Sequence, residues 1–439
     1  MAFASLARSV SFLNVSFGDD DLVDDYGISD QPMLKIIGEP ETLGGLVAEE
    51  KFYLHGPTSF SGNLVDALAM AEVNGGGSTT FRWQHPYGKH EGVIEVSVED
   101  VIQSKPDQAA ADKALEAEMK KGMAAEGQNL LDLIMGRPGL AGGVGVYTEA
   151  TSSGYPVFTI RFTDPADARR YRLGQQVVVS VTDGTTDGDI VGEPGFVMKR
   201  DVALGYIQVA ALSDIDTAAN PGSWVDGTTY YVFRLGEYTD GAPDDIITSY
   251  ARYLPDTAAT DVLHNVNRNV DSSLSGARLP TALNQGSIMQ RAKRLMAFGH
   301  GRLGWKKGAS KGDRYLAVGH SDDWNTVGEE LESKAKRGVD SATTQEGYEG
   351  FKARTVLGEV DFVAEPAKNK GSMFLLNTRL LKMYAPNGKW FQTIPVDGSG
   401  SNYLRLKEGS NVYQARTISK LATGFGAPYM HGFLDTNLT

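Results

Sequence analysis

Between Pro106 and Gly136 apolar residues recur at helical spacing, and on either side the repeat shortens to the two-residue alternation of a strand. That switch most limits what the chain can become: a long helix set among β structure, hence an α+β fold. Leu115, Met119, Met123, Leu130 and Ile134 make one apolar stripe, spaced by four, or by seven across Glu126. Ser104 and Asp107 form a capping box, Pro106 suits a first turn, and Gly136 with Pro138 ends the element. About thirty residues at 1.5 Å each give a rod of roughly 45 Å. Gly122 and Gly127 each weaken such a helix by about 1 kcal/mol, so packing must hold it.

Residues 74–101 read as a hairpin. The glycine-rich Asn74–Ser78 is a flexible entry, Pro86-Tyr87-Gly88-Lys89 has turn chemistry, and both flanks alternate. Phe81 and Trp83 lie opposite Thr80, Arg82 and Gln84, while Ile94, Val96 and Val98 share one face of the return strand. Two strands are marginal in water, so that apolar face needs a cover, which a glycine hinge allows to lie outside its own domain. Residues 145–240 alternate short β runs with turns and read as a small sandwich or barrel, an inserted domain. Residues 281–298 read as a helix with Ile288, Ala292, Leu295 and Met296 inward. A strand at 315–318, a helix through 329–336 capped by Asp322 or Asp323, and strands at 350–365 and 373–377 follow.

At 439 residues the chain has room for roughly three structural units and a buried core. Cysteine is absent, which removes disulfides, thiol nucleophiles and thiolate metal sites. The longest apolar run, Ala67–Ala71, is too short to span a membrane, and Arg8 interrupts the only candidate signal core. Folding in a reducing cytoplasm is the expectation. The net charge of −13 is unevenly spread. Residues 1–50 hold two basic residues against ten acidic ones, and read as a poorly structured arm that needs another surface. Residues 288–314 carry eight basic residues against Asp313. Such asymmetry points to partners, other copies of the chain among them.

Motifs for chemistry fail their context. Gly299-His300-Gly301-Arg302-Leu303-Gly304 spells the dinucleotide fingerprint, but follows a helix where a strand is required. Gly308-Ala309-Ser310-Lys311-Gly312 spells a nucleophile elbow, yet His320 precedes Asp322 and no strand leads into it. Asp19–Asp25 lacks calcium-loop spacing and reads as a solvated or partner-facing acidic turn. His85 and His90 across a turn read as surface histidines rather than ligands. No catalytic, cofactor or metal site is expected, and the chain is read as a non-enzyme.

The order of parts resembles the major capsid protein of tailed bacteriophages, the Hong Kong 97-type capsid fold. SYARYLPDTAATDVLHNVNRNVDSSLSGARL (249–279) is similar to that family's segment returning to the core, and YLAVGHSDDWNTV (315–327) to its strand and capped helix. GYEGFKARTVLGEVDFVAEPAKNKGSMFLLNTRLLKMY (347–384) resembles its glycine-led strand pair, and ARTISKLATGFGAPYMHGFLD (415–435) its closing segment. Together they cover most of residues 75–435, and their shared order is the specific part. The resemblance implies an N-arm (1–50), an E-loop region (51–104), a spine helix of the peripheral domain (105–144), a β-rich insertion (145–240), and an axial domain with returning peripheral strands (241–439). It implies self-assembly through hexamers and pentamers into an icosahedral shell around double-stranded DNA, located in the virion after assembly in the host bacterial cytoplasm. Portal, scaffolding and decoration proteins are the implied partners, with packaged DNA on the inner face, no membrane and no cofactor. Candidate intersubunit contacts are Asp19, Asp20 and Asp21 of the arm, Arg82, Trp83 and His85 of the hairpin, and Arg291, Arg294, Lys306 and Lys307 of the basic segment, which faces either the arm of another subunit or DNA. No long charged helix precedes the arm, so a fused scaffolding domain is not expected, and no lysine–asparagine cross-link is assigned. A β-rich hydrolase, a tail or baseplate binding protein and an encapsulin-type compartment are the alternatives.

Overall fold

A strand of fourteen residues near the end of the chain, Val412–Phe425, organises the main body of the computed structural model. The structure describes residues 18–29, 31–45, 47–55, 63, 65–66, 68–69, 79–97, 108–136, 141–152, 155–183, 190–211, 222–238, 247–280, 283–301, 314–335, 351–355, 358–368, 370–396, 403–407 and 412–436. Strands are numbered in chain order: β1 Glu41–Thr42, β2 Val47–His55, β3 Thr79–Pro86, β4 Gly88–Ser97, β5 Gly143–Ser152, β6 Tyr155–Phe162, β7 Gln176–Ser180, β8 Ile190–Asp201, β9 Tyr206–Ala211, β10 Thr229–Arg234, β11 Val262–Leu263, β12 Val266–Asn267, β13 Arg314–Gly319, β14 Phe351–Thr355, β15 Gly358–Ala364, β16 Ser372–Asn377, β17 Leu381–Ala385, β18 Gln392–Ile394, β19 Leu404–Leu406, β20 Val412–Phe425 and β21 Gly432–Asp435. The α-helices are α1 Asp20–Ile28, α2 Pro32–Ile37, α3 Gln108–Met135, α4 Tyr250–Tyr253, α5 Ile288–Gly301 and α6 Ser321–Ala335.

The long helix α3 presents Met119, Met123, Leu130 and Ile134 to the core, all essentially buried. The side chain of Leu115 and the capping box at 104–107 lie outside the described residues. The two helix-weakening glycines stand at close approaches. A Cβ on Gly122 would come 2.5 Å from Ile94 of β4, and one on Gly127 would fall on the carbonyl oxygen of Gly27 in α1. Close packing of neighbours, not helix propensity, explains both.

The arm is more ordered than its composition implies. Asp19 caps α1, its carboxylate accepting the N–H groups of Asp21 (3.1 Å) and Leu22 (3.2 Å). Acidic residues in a first turn also complement the helix dipole. Val23 is fully buried, and α1 packs against α3. From Asp19 to Ile37 the arm is therefore two helices docked on the chain's own core, not a solvated turn.

The hairpin is re-paired. β3 and β4 do not pair with each other: β3 runs antiparallel to β2, and β4 runs antiparallel to β20 from Gly88–Leu421 to Ser97–Val412. Between them Tyr87 is buried, its hydroxyl donating to the Leu43 carbonyl at 2.7 Å, so the expected turn is a crossover between two sheets. β20 also takes β17, β18 and β19 as partners. The cover for Ile94 and Val96 is thus found within the subunit, in a core shared with α3.

β5 to β10 close into a six-stranded barrel in the order β10-β5-β6-β9-β8-β7. Ile160, Val177, Val179, Val197, Ile207 and Val232 are fully buried there, in a core cluster of its own. The remaining layer is a five-stranded sheet, β14-β15-β13-β16-β21, sharing a core with α5 and α6. α5 buries Ile288, Ala292, Leu295 and Met296 as their spacing requires, but begins at 288, after Gly286 at φ +95°. Asp323 does not cap α6. Its carboxylate accepts the Gly371 N–H (3.1 Å) and the Thr436 hydroxyl (2.7 Å), while His320 Nδ1 accepts the Asp322 N–H at 3.2 Å.

Candidate functional site

The ten candidate contact residues fall into three environments. Trp83 and His85 point inward from β3, each at most 1% exposed. Trp83 meets the Tyr253 ring edge-on at 5.7 Å between centroids and lies stacked near His85 at 5.9 Å. His85 Nδ1 shares a 2.7 Å hydrogen bond with the Tyr253 hydroxyl, which donates to the Thr423 carbonyl at 3.0 Å. Burial pushes the His85 imidazole below its ordinary pKa although Glu50 lies 3.6 Å away. This corrects the reading of His85 as a surface histidine. Arg291 is buried too: at 1% exposure its Nη1 donates to the Asp435 carbonyl (2.6 Å), tying α5 to the final strand.

Four candidates are exposed, each with a partner in its own chain. Asp19 caps α1, and Asp21 meets Lys389 Nζ at 2.7 Å. Arg82 reaches across the β2–β3 pair to Glu49 at 3.1 Å, and Arg294 donates to the carbonyls of Leu283 (3.0 Å) and Gln285 (2.7 Å). The side chain of Asp20, together with Lys306, Lys307 and the whole Gly308–Gly312 motif, lies outside the described residues. Gly299-His300-Gly301 closes α5, so that half of the fingerprint ends a helix instead of opening one. His90 pairs with Glu126 of α3 at 2.8 Å, apart from His85. Among the described residues no group of three histidine, aspartate or glutamate side chains could hold a metal, and no helix is long and apolar enough to cross a membrane.

Sequence reasoning missed the joint between barrel and core. The 3-10 helix Pro165–Arg170 and its flank supply arginines that donate across it. Arg169 reaches His320 Nε2 at 2.7 Å, Arg172 the Ala125 carbonyl at 3.3 Å, and Arg170 the carbonyls of Gly136 and Ala367, both at 3.5 Å. From β10, Arg234 donates to the Arg170 carbonyl (2.9 Å) and lies 3.6 Å from Asp132 of α3. Burial pushes the Asp132 carboxyl up, against the pull of Arg234 and Arg170. The joint fixes the barrel's orientation on α3. The available signal was the cluster Arg169-Arg170-Tyr171-Arg172, three cations in a turn between strands.

No family model matches the sequence, and no curated protein matches it. Solved structures similar to the chain include three from phages. The cyanophage A-1(L) capsid asymmetric unit is 10% identical, with 92% of each chain covered and a TM-score of 0.47. The cyanophage Pam1 capsid asymmetric unit is 9% identical, covering 91% of this chain and 87% of that one, with a TM-score of 0.32. A Mycobacterium phage Patience structure is 10% identical, covering 96% and 88%, with a TM-score of 0.34.

Proposed function

We propose that this chain is a shell-forming subunit: the major capsid protein of a tailed phage, assembling into the icosahedral container of its double-stranded DNA genome. The observation that carries the reading is the order of parts along the chain. A docked N-terminal arm, the β2–β3 ribbon, the 28-residue α3, a closed barrel and a closing sheet-and-helix region follow one another in the sequence order that the Hong Kong 97-type resemblance implies. In this reading β2–β3 takes the E-loop role, α3 is the spine, and the barrel is an insertion between α3 and the axial region. Assembly then proceeds in the host cytoplasm through hexamers and pentamers, with portal, scaffolding and decoration proteins as partners and DNA on the inner face. A C-terminal strand that locks β4, β17, β18 and β19 together gives each subunit a stiff body, as a closed symmetric shell needs.

Electron microscopy of the purified full chain tests it. Closed angular shells of uniform diameter are expected. Rings, trimers or monomers at every protein and salt concentration tried overturn the reading.

A further inference from the structure

The barrel is held on two sides, and the two sides use different chemistry. Toward α3 and its C-terminal end, arginines donate to backbone carbonyls: Arg172 to Ala125 and Arg170 to Gly136. Bonds of that kind do not titrate, because a guanidinium keeps its proton and a carbonyl has none. Toward the five-stranded sheet, the shortest side-chain bond among the described residues runs from Arg169 Nη1 to His320 Nε2, at 2.7 Å. Arg170 to the Ala367 carbonyl, at 3.5 Å, is the weaker one. His320 stands between β13 and α6 and is 3% exposed. A guanidinium can only donate, so the ring must accept. The Asp322 N–H also points at the ring, 3.2 Å from Nδ1. A neutral imidazole has one lone pair for these two donors. A protonated imidazole has none, and it sets a second positive charge 2.7 Å from Arg169.

The charged groups that face the ring are Arg169 of the 3-10 helix, Asp322 and Asp323 at the start of α6, and Lys370 of the turn before β16. Neither carboxylate is placed to take over an imidazolium. Asp322 Oδ2 lies 3.7 Å from Nδ1 and already pairs with Lys370 at 3.2 Å, while Asp323 accepts from Gly371 and Thr436. We propose that His320 is an acid-released latch: neutral, it accepts Arg169 and holds the barrel against the sheet; protonated, it lets that side go while the arginine–carbonyl bonds keep the barrel hinged on α3. The surroundings agree. Burial first, then Arg169, pushes the imidazole below its ordinary range in the closed joint. In an opened joint it titrates near the ordinary value of about 6.5. Closure is therefore favoured above that pH and is lost as pH falls below it. The latch belongs to the single subunit and does not depend on the shell reading.

Hydrogen exchange of the unassembled full chain, read by mass spectrometry and corrected for the intrinsic rate at each pH, tests this. A 3-10 helix of six residues is not stable alone, so the amides of 163–172 report its undocking. Between pH 7.5 and pH 5 their exchange should rise by up to about thirtyfold, the limit for an imidazole freed to titrate near 6.5. The barrel strand 206–211 should not change. His320→Gln keeps an acceptor for Arg169 but no titratable group, and should abolish the rise. Arg169→Ala, at an exposed position, should raise exchange of 163–172 at pH 7.5 and weaken its dependence on pH. Wild-type exchange that does not rise at pH 5 overturns the proposal, and so does an equal rise over 206–211, which would mean barrel unfolding instead of undocking. A pH-dependent rise that persists undiminished in Arg169→Ala overturns it even if His320→Gln fails to fold.

Discussion

Replacing Gly127 by alanine isolates what docks the N-terminal arm. In an ordinary helix this change gains about 1 kcal/mol. Here the new methyl would fall on the Gly27 carbonyl oxygen, a backbone atom that cannot rotate away. Either α1 shifts, at an overpacking cost of about 1–3 kcal/mol, or it detaches. Detachment exposes Val23, fully buried, and the flanking Leu22, Tyr26 and Ile28, which pack against the same core. Full burial of one such side chain contributes about 1.5–3 kcal/mol, so a shift is the smaller loss. The propensity gain in α3 is present whether or not the arm is docked, so docking should weaken by about 1–3 kcal/mol.

In a 439-residue chain that moves the melting temperature little, so the assay must be local. Hydrogen exchange read by mass spectrometry over residues 20–37 should show protection falling about tenfold for each 1.4 kcal/mol. Gly122→Ala is the comparator, because its Cβ would meet the Ile94 side chain, which can yield. Unchanged or increased protection of 20–37 in Gly127→Ala would show that helix contact does not hold the arm, and the reasoning fails.

Trp83→Ala should cost about 3–5 kcal/mol by opening a cavity beside Tyr253, seen in a denaturation midpoint; removal of Arg82–Glu91 should accordingly abolish folding, not merely assembly. Asp24, whose carboxylate accepts the Phe391 N–H at 2.9 Å, is pushed up by burial to about 7 from 3.8. The folded state there holds the extra proton, so its contribution is lost as pH rises from about 4 through 7. Asp24→Asn should remove that loss, stabilising the chain at pH 8 by about 1–2 kcal/mol for a partly exposed group and leaving pH 4 unchanged. His431 has the opposite sign. Its Nδ1 accepts the Asn377 N–H, its Nε2 faces the Gly426 carbonyl at 3.1 Å, and burial pushes it down to about 3. Stability is then lost as pH falls below about 6.5, by about 2 kcal/mol at pH 5, and His431→Gln should flatten that part of a melting-temperature profile.

How much of this was legible depends on the range of the interaction that decides it. The stripe on α3 is local, so Met119 to Ile134 were readable by spacing. Alternation along β3 and β4 correctly separated Trp83 from Arg82 and Ile94 from Glu95, because side-chain direction is a property of one strand. It carried no information about which strand pairs with which, and the partner of β4 lies more than 300 residues away. The nearest turn was therefore a poor guide. Arg291 is different, since the signal was present: Ile288, Arg291, Ala292 and Leu295 follow the i, i+3, i+4, i+7 pattern, which puts the guanidinium on the buried face. Reading the segment as a run of positive charge hid that position.

The same correction applies to the acidic arm. A count of charges treats each carboxylate as available to a partner, yet Asp19 is engaged with its own helix, Asp21 with Lys389, and Asp24 with the backbone at Phe391. Three of the ten acidic residues in 1–50 are thus engaged within the chain itself. A charge run locates a partner only after the chain's own helix termini, backbone donors and lysines have been subtracted from it. In the basic segment that subtraction removes Arg291 and occupies Arg294.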